Sequence, residues 1–131
     1  MRKIFLVLAA AVLLATAAAC AGQPGESPAS PRQYTEEESR AVAEDFVKNE
    51  ATFVFDGMPE TLKPVNTAQD GPQTWTFTYE FSSRHAGYGN RTGQVLAQVI
   101  TPHQAVVTVE RGMVKSAVMD QIWDMLNQEL L

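Results

Sequence analysis

The chain is 131 residues long, 45% apolar and 19% charged, with a single cysteine, which allows one small domain and excludes a disulfide-stapled scaffold. Ten basic residues stand against 15 acidic ones, a net charge of −5. That balance argues against a nucleic-acid partner, because such binding needs a basic surface to displace counterions from phosphates.

Arg2 and Lys3 precede an apolar run from Ile4 to about Ala15, and the small residues Ala17, Ala18 and Ala19 then lead into Cys20. The pattern predicts a secretory signal peptide over residues 1–19. At roughly 1.5 Å per residue the run is too short to cross a core of about 30 Å comfortably. Two cleavage readings compete. Ala17-Ala18-Ala19 satisfies an ordinary small-x-small site, whereas small residues directly before a cysteine resemble the lipobox of prokaryotic lipoproteins, with Ala17 in place of the usual leucine. The resemblance implies a thioether diacylglycerol on Cys20. The protein would then be lipid-anchored at the extracytoplasmic face of the cell membrane, since two acyl chains suffice where one is marginal. Without the leader, eight basic residues face 15 acidic ones, a net of −7. Residues 20–33 hold three prolines and two glycines with almost no apolar bulk, so they are expected to form a disordered tether.

The folded domain is expected over residues 34–131. Thr35 followed three residues later by Glu38 is a capping-box signature, and Glu36 and Glu37 add acids to the first turn. Val42, Ala43, Phe46 and Val47 recur on one face, which predicts an amphipathic helix to about Asn49. Thr52 to Phe55 is a short strand candidate closed by Asp56-Gly57. Pro59, Pro64 and the Asp70-Gly71 turn leave Met58 to Pro72 to irregular structure with at most one short strand. The clearest strand is Thr74 to Phe81, where Trp75, Phe77, Tyr79 and Phe81 alternate with Thr74, Thr76, Thr78 and Glu80. Gln94 to Ile100 and Gln104 to Glu110 read as further strands, and Met113 to Met119 completes a hairpin with the latter. Asp120 is placed to cap a last helix in which Ile122, Trp123, Leu126 and Leu130 share a face.

The order predicts an α+β class: a single small domain with an N-terminal helix, an antiparallel meander of four or five strands and a C-terminal helix. The aromatic row should be buried against Phe46 and Val47, with Trp123 closing the same core. In topology this order resembles the small cystatin-like and PepSY-like exported domains. Ser83-Arg84-His85-Ala86-Gly87-Tyr88-Gly89 through Ile100-Thr101-Pro102-His103, with Trp123-Asp124-Met125-Leu126, is similar to short exported prokaryotic proteins, many of them archaeal. That second resemblance carries over no functional residues.

Chemistry is sought in the segment from Ser82 to Gly93, read as a mobile, solvent-facing loop. Residues 84 to 115 hold Arg84, Arg91, Arg111 and Lys115 against Glu110 alone, a local +3 in an acidic chain. Glycines 87, 89 and 93 would let backbone amides converge on an anion, and arginine suits bidentate recognition of carboxylate or phosphate. Arg84, His85, Tyr88, Arg91 and His103 are therefore the candidate ligand-binding residues, for a protein partner or a small anionic ligand. The competing structural reading has these glycines at positive φ and the arginines paired with the acidic first helix. His85 and His103 are the only histidines, so no metal site or cofactor is expected from spacing. A small enzyme using either histidine is the rival class, although Ser82 and Ser83 lack a glycine-bracketed nucleophile turn and no catalytic residue is assigned. Asn90-Arg91-Thr92 matches a glycosylation sequon, a match expected from sequence alone to be a coincidence beside a lipobox-type leader. Gln94-Val95-Leu96-Ala97 resembles the loop motif by which cystatins block cysteine proteases, with Gln98 where that family has glycine; its alternation instead favours a strand.

Overall fold

Thr35 starts the first helix as its sequence requires. Its side chain accepts from the Glu38 amide while the Glu38 carboxylate accepts from the Thr35 amide, and α1 runs over Glu36–Asn49. The computed structural model describes residues 30–131, of which Arg32–Leu131 forms the compact unit. The expected signal peptide, Cys20 and the tether as far as residue 29 lie outside the described residues. No helix among the described residues is long and apolar enough to cross a membrane.

The segment expected as a strand at Thr52 to Phe55 is a second helix, α2, over Ala51–Asp56. Glu50 ends α1 in extended backbone, and its carboxylate then accepts from the Thr52 amide, so the chain restarts a helix after a sharp bend. This bend turns Phe53 inward, edge-on to Phe81 at 5.1 Å between ring centroids.

Strands β1 (Lys63–Gly71), β2 (Thr74–Ser83), β3 (Thr101–Glu110), β4 (Met113–Met119), β5 (Trp123–Asp124) and β6 (Glu129–Leu130) form one antiparallel sheet in chain order. The fold is α+β. Met58 to Pro72 is therefore more regular than expected. β1 lies at the sheet edge, where proline is tolerated, and register shifts at Pro64/Asn66 and Gln69/Gly71 absorb the misfit.

β2 alternates as predicted: Trp75, Phe77, Tyr79, Phe81 and Ser83 are buried and the residues between them half-buried. Ala105, Val107 and Val109 of β3 and Ala117 and Met119 of β4 extend the same inner face, which meets Ala43 and Val47 of α1. Phe46 and Trp123 pack on this core from its margin.

Two expected elements are absent for definable reasons. Gln94 to Ile100 is not a strand, because β2 already pairs with β1 on one edge and, through ten consecutive partners, with Thr101–Glu110 on the other. Neither edge of β2 is left for it. The C-terminal helix is likewise replaced, by turns and the short strands β5 and β6. Asp120 and Gln121 adopt left-handed backbone at φ 51 and 64, and the Asp120 carboxylate is bonded to β3 and to Tyr88 instead of capping a helix. Asp124 holds the next turn through the amides of Leu126 and Asn127.

Candidate functional site

Residues 84–100 connect β2 to β3, and their first half folds inward. Arg91 is 2% exposed, and each of its five N–H donors has an acceptor. Nε donates to the Gly89 carbonyl at 3.2 Å, Nη1 to the carbonyls of His85 and Ala86, and Nη2 to the Thr52 carbonyl and to Asp56 Oδ1 at 2.7 Å. Its guanidinium also lies over the Phe55 ring. Arg91 was expected to face solvent; instead it is a structural clamp between the loop and α2, with no donor left for a ligand.

The other oxygen of Asp56 accepts from the backbone amide of His85 at 2.8 Å and lies 2.9 Å from His85 Nδ1. Gly89 sits at φ 69, and its amide donates to Thr52 Oγ1, with the Trp123 ring so close that a side chain would press on it. Glu50 closes this corner. Its buried carboxylate accepts from Thr52, from Trp123 Nε1 and from Gln128 Nε2.

A second network lies beside it. Ser83 Oγ is 3.0 Å from His103 Nε2, and His103 Nδ1 is 2.7 Å from Asp120 Oδ2. These are the spacings of a Ser-His-Asp triad. The surroundings are not. Ser83 Oγ also donates to the His85 carbonyl at 2.7 Å, so a backbone oxygen competes with His103 for its one proton. Ser83 is also 0% exposed, and it does not line the groove of about 650 Å3 that His103 and Asp120 border. A nucleophile must reach its substrate. The arrangement braces the ends of β2 and β3, with Ser83 buried away from the groove.

Tyr88 completes the brace. Its hydroxyl donates to Asp120 at 2.8 Å, and its ring stacks on Trp123 with centroids 5.5 Å apart. Burial first, then the hydrogen bond and charge of Asp120, push the Tyr88 phenol up to about 12.

Of the five expected ligand residues, His85, Tyr88, Arg91 and His103 are thus brought together, but their polar groups meet Asp56, Asp120, Ser83 and the backbone. Arg84 alone of the five is exposed. Lys115 is paired with Glu110 at 3.0 Å, which further dilutes the expected basic surface. Among the described residues no group of three or more His, Cys, Asp or Glu is placed to hold a metal ion.

The second half of the connection behaves in the opposite way. Residues 92–100 carry no charge and form no helix or strand. Val95 is 104% exposed relative to the reference residue, Val99 58% and Ile100 65%. Sequence reasoning placed Gln94-Val95-Leu96-Ala97 in a sheet and so missed this surface. The signal that could have found it is the length of β2, which consumes both edges available to a further strand. Comparisons with known protein families, curated proteins and solved structures find no match.

Proposed function

We propose that the protein is an exported domain, lipid-anchored through Cys20, that binds a partner protein with the loop of residues 92–100. One observation carries this reading: Val95, Val99 and Ile100 stand exposed on an uncharged loop whose foot is clamped by Arg91. Exposed apolar side chains in a group mark interaction sites, and a loop held at its foot loses less entropy on binding than a slack one. A projecting loop fits a cleft, so the expected partner offers an apolar groove. Arg84 remains available to favour an acidic rim. The test is a photo-crosslinking residue at Val95, compared with one at exposed Lys48 on α1. A partner captured in the protein's own membranes from position 95 and not from 48 supports the reading; equal or no capture from both removes it.

A cystatin-like inhibitor is the second reading, favoured by one specific observation. The motif-like Gln94-Val95-Leu96-Ala97 lies in an exposed connection between consecutive antiparallel strands, not within the sheet. Titration of a papain-type cysteine protease tests it, and undiminished peptidase activity at micromolar protein excludes it.

A further inference from the structure

We propose that Asn90 is the acceptor of an N-linked glycan, attached during export before the loop around Arg91 closes. The proposal rests on the export reading above, because such transfer takes place on translocated chains.

Asn90-Arg91-Thr92 has the residue types this modification requires. The lipobox-type leader made this match look coincidental, but the structure adds three observations that the sequence does not contain. Asn90 and Thr92 are exposed. Asn90 Oδ1 accepts from both the Thr92 amide at 3.0 Å and the Thr92 hydroxyl at 2.6 Å, whereas its Nδ2 donates to nothing among the described residues. The amide nitrogen is thus the outward, uncommitted atom. Asn90 and Thr92 also border a shallow hollow of about 330 Å3 with Ala51, Val54 and Phe55, in which Val54 is 65% exposed. The sugar joined to Asn90 would lie over this hollow and shield its apolar side chains from water.

The timing follows from Arg91. A transferase must draw the acceptor tripeptide into its own site, but in the folded protein the middle residue is buried with all five donors engaged. Pulling it out would strand the Asp56 carboxylate. Transfer therefore precedes closure, and afterwards the side chains flanking Arg91 still point outward and accommodate the glycan. The donor class is an oligosaccharide linked to a polyprenyl phosphate or pyrophosphate. Asn90 Nδ2 forms the bond to the anomeric carbon, the bond from that carbon to the phosphate oxygen breaks, the lipid phosphate leaves with the electron pair, and one amide proton passes to solvent.

The experiment is mass spectrometry of the protein isolated from its own cells, fraction by fraction. The expected result is a sugar mass increment on the Asn90 peptide of exported protein, lost in Asn90→Gln and Thr92→Ala and retained in Thr92→Ser. Purified folded protein, offered to membranes that contain the donor lipid, should be modified at least tenfold less than chain denatured and diluted into the same membranes. An exported protein whose Asn90 peptide is wholly unmodified overturns the proposal and leaves the export reading standing. A protein found only in the cytoplasm with its leader intact overturns both. Equal modification of folded and denatured chain overturns the order of events.

Discussion

Residues 84–91 and 92–100 belong to one connection, yet they end in opposite environments. The charged, glycine-rich half turns Gly89 and Arg91 inside while leaving Arg84 at the surface, and the uncharged, apolar half is outside. Arg91 can be buried because a tight loop supplies carbonyls at the spacing of its donors: His85, Ala86 and Gly89 all accept from it, and Asp56 neutralises it. Val95, Val99 and Ile100 cannot be buried because the sheet has no vacant inner edge beside them. Charge therefore does not measure exposure here. What matters is whether the fold can satisfy the charged group and whether it has room for the apolar one.

Substituting Arg91 is the severest way to break this contrast. Arg91→Ala should cost about 3 to 5 kcal/mol, because it leaves a buried carboxylate without its cation, out of the roughly 5 to 15 kcal/mol by which a domain is stable. Chemical denaturation reads the loss, and an unchanged midpoint would show that the clamp is ornamental. Phe77→Ala, in the middle of the buried aromatic row, provides the yardstick at about 3 to 5 kcal/mol. If Phe77→Ala unfolds the protein and Arg91→Ala does not, the loop is dispensable to the core.

An alkaline titration sharpens the comparison at the Tyr88 brace. Burial and Asp120 push Tyr88 up to about 12, and burial, with a further push from Glu44, does the same to Tyr79. The unfolded chain ionises its tyrosines near the ordinary value of about 10. The contribution of these phenols to stability is therefore complete below pH 10 and is lost as the pH rises towards 12. Thermal melts across that range should fall, and Tyr88→Phe should flatten part of the fall.

The smallest effect is expected in the outer half. Val95→Ser with Val99→Ser should change stability by less than about 0.5 kcal/mol while abolishing capture of a partner through the loop. A large loss of stability would mean that these side chains are packed after all.

The sequence alone was sufficient wherever a local rule decided the outcome. The capping box at Thr35 and Glu38, the helical face of Ala43 and Val47, and the period-two aromatic row of β2 each reflect interactions within a few residues or a repeat imposed by one buried face. The same patterns misled where tertiary competition decided. Thr52 to Phe55 has strand composition, but Glu50 caps it as a helix. Gln94 to Ile100 has strand alternation, but both edges of the preceding strand β2 are already paired. Asp120 has the chemistry of a helix cap, but its carboxylate is taken by His103, Gln104 and Tyr88, residues 17, 16 and 32 positions away. The candidate site was legible only as a cluster of unusual residues. Which of them face a ligand and which face each other depends on hydrogen bonds closed across the β2 to β3 connection, and those exist only once α2 and the sheet have brought Asp56, Thr52 and Asp120 into place.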